Sequence, residues 1–144
     1  VLYLDLDGFK AINDILGHAV GDKLIENTAR RLEKNIRKGD LVARVGGDEF
    51  VVLLQDVAAS DISKIAEKII EDLSKPFVLA DKTLSITASI GVATYPQDGM
   101  DANALLHGAD SAMYEAKRSG KNSYRICSNR HVFLAPVSVN GQTN

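Results

Sequence analysis

Apolar residues recur along this chain with two different periods. The run Val1-Leu2-Tyr3-Leu4-Asp5-Leu6-Asp7 alternates residue by residue. It predicts a strand with Leu2, Leu4 and Leu6 packed on one face and Asp5 and Asp7 together on the other. Gly8 to Gly17 reads as a short helix or turn. From Leu24 the period lengthens, and Ile25, Ala29, Leu32 and Ile36 predict a longer helix. Two apolar runs, Leu41 to Val45 and Phe50 to Leu54, flank Gly46-Gly47-Asp48-Glu49, a hairpin whose glycines are expected at positive φ. Ser60-Asp61 is placed to cap a helix with Ile62, Ile65, Ala66, Ile69, Ile70 and Leu73 on one stripe, ended by Pro76. Leu84 to Val92 alternates strictly and predicts one strand. A last helix, about Asn103 to Arg118, turns Leu105, Leu106, Ala109, Ala112, Met113 and Ala116 inward and stops near Gly120, before an edge strand over Ser123 to Ile126. Periodicity is lost from Cys127 onward.

Strands interleaved with helices, plus one tight hairpin, exclude an all-parallel sheet. The order fits an α+β fold, a ferredoxin-like or polymerase-palm-like, mostly antiparallel central sheet covered by helices. A doubly wound fold ranks second. The 144 residues, 45% of them apolar, suit a single domain with a real core, and 127–144 reads as a polar linker or tail. The single cysteine, Cys127, excludes an internal disulfide and fits a reducing compartment. A net charge of -2 disfavours general nucleic-acid binding. No membrane-length apolar stretch or secretory signal is visible, so this segment is expected to be cytoplasmic and to make no membrane contact. Starting on Val1 inside a strand pattern, the sequence looks like a piece of a longer protein.

Composition does not explain the acids. Asp48 and Glu49 stand together at the head of a strand apolar enough to be central, and Asp5 and Asp7 end another. Carboxylates against a buried sheet are costly unless compensated. If the two strands lie side by side, Asp5 and Asp48 converge on one divalent cation. Mg²⁺ suits such a pair, because it keeps open positions for water and phosphate oxygens. The plain alternative is that acids merely mark strand ends and turns. A phosphate-binding Gly-x-x-x-x-Gly-Lys-Ser/Thr loop and a Gly-x-Gly-x-x-Gly fingerprint are both absent. His18, His107 and His131 lack partners at ligand spacing.

With these blocks in order, the chain resembles the GGDEF domain, the diguanylate cyclase family. The likeness rests on Asp5-Leu6-Asp7-Gly8-Phe9-Lys10, Ile12-Asn13-Asp14, Gly17-His18, Gly21-Asp22, Arg44 to Phe50, Ser89-Ile90-Gly91-Val92 and Ala109-Asp110 to Lys117, and covers 1–126. The family's opening helix, before the first strand, is not in the sequence. The resemblance implies a nucleotidyl cyclase-like fold that joins two GTP into cyclic di-GMP and two pyrophosphates. It further implies one GTP per subunit of a two-fold homodimer, with Mg²⁺ or Mn²⁺ as cofactor. In it, Asp5, Asp48 and the Leu6 carbonyl hold metal, and Asp48, Glu49 and Lys117 serve catalysis. Asn13 and Asp22 read guanine, while Gly8, Phe9, Lys10, Gly47, Lys117 and Lys121 meet the rest of the nucleotide. Arg37 and Asp40 form an inhibitory site for the product. Lys121 departs from the arginine often found there, and Gly8 from a bulky residue.

Each assignment has a structural rival. Asn13 and Asp22 suit helix caps, Lys117 and Lys121 offset a helix dipole, and Arg37 with Asp40 would be an exposed ion pair of little worth. A rival function also stands: a catalytically silent module that binds GTP or cyclic di-GMP and tunes a neighbouring phosphodiesterase or partner.

Overall fold

The computed structural model describes residues 1–127. Its elements run β1 (Leu2–Asp7), α1 (Phe9–Leu16), α2 (His18–Glu33), β2 (Leu41–Arg44), β3 (Glu49–Leu53), α3 (Ala59–Ser74), β4 (Phe77–Leu79), β5 (Lys82–Leu84), β6 (Thr87–Val92), α4 (Ala102–Arg118) and β7 (Ser123–Ile126). The central sheet has five strands in the order β2-β3-β1-β6-β7, with β1 in the middle. Only the β6–β7 pair is parallel; β2–β3, β3–β1 and β1–β6 are antiparallel. This is the mostly antiparallel sheet that the pattern predicts, in the nucleotidyl cyclase-like arrangement that the resemblance implies.

Strand alternation divides the two faces. Leu2, Leu4, Leu6, Phe50, Val52, Ala88, Ile90 and Val92 join Leu24, Leu32, Ile69 and Leu73 from α2 and α3 in the main core. Helix α4 lies on the opposite face, burying Ala109, Ala112, Met113 and Ala116. Its approach needs glycine at position 91: a Cβ there would stand 1.8 Å from the Ala109 carbonyl oxygen. Asp101 caps α4 by accepting from the Ala104 N–H at 2.8 Å.

Several expectations need correction. Gly46 and Gly47 are not among the glycines at positive φ, which are Gly8, Gly17, Gly39 and Gly120. The hairpin closes where the Val45 N–H meets the Glu49 carbonyl at 2.9 Å, so its loop is longer than a two-residue turn. Helix α2 starts at His18, because Gly17 at φ 92 breaks the chain between α1 and α2. Ser60-Asp61 does not cap α3; Ala58 is the N-cap, without a side-chain bond, and Asp61 sits in the first turn. The run Leu84 to Val92 is two strands. Leu84 pairs with Phe77 in a separate β4–β5 hairpin, and the central sheet begins again at Thr87.

Arg31 ties α2 to the end of α3. Its guanidinium donates to the carbonyls of Asp72 at 2.8 Å, Lys75 at 2.6 Å and Pro76 at 2.6 Å, and lies 3.5 Å over the Phe77 ring. Among the described residues no helix is long and apolar enough to cross a membrane. Cys127 is buried, and its N–H donates to the Val92 carbonyl at 2.7 Å.

Candidate active site

The acids of β1 and of the hairpin meet because β1 and β3 are neighbours. Asp5 is the Cα partner of Glu49, and the Leu6 N–H donates to the Asp48 carbonyl at 3.1 Å. The Asp48 carboxyl lies near enough to Asp5 for its charge to act on it. Burial, and then the Asp48 charge, push Asp5 up to about 7, against the opposing pull of Lys117. Asp5 Oδ1 is buried and accepts no hydrogen bond; Lys117 Nζ stands 3.5 Å away as an ionic neighbour.

Asp7 shares the face of Asp5 but has a different task. It accepts from Thr87 Oγ1 at 2.7 Å, Ser89 Oγ at 2.7 Å, Lys117 Nζ at 3.1 Å and the Asn122 N–H at 3.1 Å. Burial alone would raise this carboxyl, but these bonds outweigh it and hold it below the usual range. Asp7 therefore anchors Lys117 and the turn after α4. Lys121 and Asn122 occupy left-handed backbone there, at φ 64 and 48.

The hairpin turn is fixed from its own edge strand. Arg44 Nε donates to the Gly46 carbonyl at 3.0 Å, and its terminal nitrogen to the Gly47 carbonyl at 2.8 Å. A Cβ on Gly46 would fall 2.9 Å from Glu49 Oε1, whereas one on Gly47 would meet nothing within 4 Å. Gly46 thus makes room for Glu49, and Gly47 leaves the backbone open to an approaching ligand. Glu49 is turned towards Tyr3, whose hydroxyl donates to Oε1 at 3.0 Å. Burial and this hydrogen bond push Tyr3 up to about 12, so it remains a donor. Neither Tyr3 nor Arg44 was marked by the sequence pattern as functional. The alternation that puts Tyr3 on the Asp5 face was the available signal for Tyr3.

Gly8 is the N-cap of α1, at φ 79. Phe9 and Lys10 form the first turn, where backbone N–H groups lack helical partners and suit phosphate oxygens. Asn13 and Asp22 lie inside α1 and α2, so neither is the cap that spacing alone allows. Asn13 Oδ1 is buried without a hydrogen-bond partner, and a Cβ on Gly21 would fall 1.8 Å from it. The amide is thereby held against α2 beside exposed Asp22.

Arg37 and Asp40 lie apart from these groups, in the α2–β2 loop. The expected exposed ion pair is half right: Arg37 is 62% exposed at its side chain, but Asp40 only 3%. Asp40 accepts from the N–H groups of Arg37 and Gln55, each at 3.0 Å, and Arg37 also donates to the Gln55 carbonyl. These bonds close the loop, and hydrogen bonding outweighs burial to hold Asp40 below the ordinary carboxylate range.

Among the described residues no three His, Cys, Asp or Glu side chains gather as a metal cluster. The pair Asp5 and Asp48 nonetheless fits a hard cation that takes its remaining oxygens from backbone, water and substrate. Asp5 Oδ1 accepts no hydrogen bond, and burial followed by the neighbouring Asp48 charge makes the ionised form of Asp5 costly, a cost that a cation would relieve.

The family model described as diguanylate cyclase, GGDEF domain, matches residues 1–123. The chain is 46% identical over 124 residues to the bifunctional diguanylate cyclase/cyclic di-GMP phosphodiesterase MucR of Pseudomonas aeruginosa, covering 86% of this chain and 18% of MucR. It is 48% identical over 128 residues to the diguanylate cyclase TpbB of that species, covering 88% of this chain and 29% of TpbB. The chain therefore spans less than a third of the length of either relative. The solved GGDEF domain of TpbB superposes with a TM-score of 0.86 at 45% identity, covering 92% of this chain and 79% of that one. That of DgcB from Caulobacter crescentus, solved with c-di-GMP, gives 0.79 at 30% identity, covering 88% of this chain and 76% of that one. By sequence, by fold and by the convergence of Asp5 with the Gly46-Gly47-Asp48-Glu49-Phe50 turn, this chain belongs to the GGDEF family of diguanylate cyclase domains.

Proposed function

We propose that this domain condenses two GTP molecules into cyclic di-GMP and two pyrophosphates, one GTP per subunit of a two-fold dimer. The observation that carries the reading is the Asp5–Asp48 pair, with its buried unpartnered oxygen and Lys117 beside it. Asp5, Asp48 and the Leu6 carbonyl are the groups that would hold Mg²⁺ or Mn²⁺. Such an ion, when bound, supplies positive charge to the phosphoryl oxygens and lowers the pKa of an attacking hydroxyl. Glu49, in contact with Tyr3, is placed to take or orient the ribose 3′-hydroxyl proton. The first turn of α1 (Gly8, Phe9, Lys10) and the Gly47 backbone cradle phosphates, and Lys117 and Lys121 offset their charge. Asn13 and Asp22 face the guanine edge. The Asn13 amide, its oxygen packed against Gly21, has to turn towards the base to bond it, whereas the exposed Asp22 carboxylate accepts from base N–H groups directly. One domain offers half of the reaction, so turnover requires two copies face to face.

For product inhibition at the Arg37 and Asp40 site, the 62% exposed Arg37 side chain offers a guanidinium to guanine acceptors or phosphate, while Asp40, 3% exposed and bonded to the Arg37 and Gln55 N–H groups, holds the loop that presents it. The domain acts in the cytoplasm. Incubating the chain with GTP and Mg²⁺ should yield cyclic di-GMP. Asp48→Ala should reduce the rate by at least about a hundredfold with an unchanged melting temperature, because it removes a turn carboxylate rather than core volume.

A second reading, a silent nucleotide-binding module, draws on the Lys117 ammonium, which sits 3.5 Å from Asp5 as a built-in substitute for a cation. Measurable GTP binding without product would favour it.

A further inference from the structure

Glu49 stands at the head of β3 with its carboxylate confined from two sides, and only one of them lies in the motif. On the motif side, the absent Cβ of Gly46 leaves a space that Glu49 Oε1 fills at 2.9 Å. On the other side, Tyr3 stands two residues before Asp5 on the same face of β1. Its Cα partner is Val51, two residues beyond Glu49, so the two side chains are diagonal neighbours across β1 and β3. Its hydroxyl donates to that same Oε1 at 3.0 Å. With Oε1 committed, Oε2 is the oxygen left to accept a proton or a metal. Glutamate has three side-chain torsions; the space at Gly46 admits the carboxylate, and the Tyr3 hydroxyl supplies the hydrogen bond that selects one orientation.

We infer that Tyr3 is a positioning residue for the reaction: it fixes the Glu49 carboxylate and touches neither nucleotide nor metal itself. The inference rests on the cyclase reading of the site. A positioning hydrogen bond acts on the reacting geometry, so its loss should appear in turnover rather than in GTP binding.

Tyr3→Phe deletes only the hydroxyl and keeps the ring, and Tyr124→Phe is a matched control. Tyr124 donates to Glu67 at 3.3 Å on an exposed surface, so its variant loses the same kind of bond elsewhere. With GTP and Mg²⁺, Tyr3→Phe should lower kcat by about tenfold, with KM changed less than about twofold and the melting temperature unchanged. Tyr124→Phe should leave kcat as it is. Turnover by Tyr3→Phe at the unaltered rate overturns the inference alone. So does a loss that appears only in KM, or in step with a falling melting temperature. Absence of product from the unaltered chain overturns the cyclase reading, and this inference with it.

Discussion

At the scale of single residues, two aspartates on one strand face, separated by one leucine, are driven in opposite directions. Asp7 is surrounded by donors and is held low, whereas burial, and then a second carboxyl, raise Asp5 to about 7. An acid raised on folding binds a proton more tightly in the folded state. Its contribution to stability is therefore complete below the unfolded value near 4 and is lost as pH rises through about 7. In EDTA, the melting temperature of the metal-free protein should fall between pH 5 and pH 8 by more than that of Asp5→Asn. Added Mg²⁺ should restore the difference at pH 8, because the cation stabilises the ionised form. Equal pH profiles for both proteins would remove Asp5 as the cause.

At the scale of elements, alternation and helical spacing made most of the fold legible. β1, the β2–β3 hairpin, α3, α4 and β7 lie where their patterns put them, and β1 and β3 are neighbours, with Asp5 opposite Glu49. What escaped were features set by partners distant in sequence. Leu84 looks continuous with β6, but it leaves that alignment because Phe77 pairs with it. The Gly46-Gly47 pattern promised positive φ; one glycine instead answers to a crowding side chain and the other borders open space. Asp7 stands out in the sequence as an acid on the Asp5 face, but its task of holding Lys117 does not, and the parts played by Tyr3 and Arg44 emerge only once their neighbours are known. Gly91 shows the same dependence on packing. Gly91→Ala would drive a methyl into the backbone of α4, with Met113 N only 2.3 Å away. Since α4 carries Lys117, the variant should lose about 3 kcal/mol in urea unfolding and most of its cyclase rate together.

At the scale of the whole molecule, the described chain sets α2 and α3 with the main core on one face of the central sheet, α1 packed against α2, and α4 on the other face. The first layer depends on the contact between α2 and α3, where Arg31 satisfies three carbonyls and lies over Phe77. Arg31→Ala should cost about 2 kcal/mol of unfolding free energy, read from urea melts. It should leave the KM for GTP unchanged, because that joint lies away from the acids. On the second layer, the Asp7 carboxylate is shared by β1, by two side chains of β6, by Lys117 of α4 and by the backbone just before β7. A knot of this kind makes the reach of the lysine a collective property. Lengthening, shortening or redirecting that side chain would disturb every strand tied to the same two oxygens, so this corner of the domain can be redesigned only as a whole.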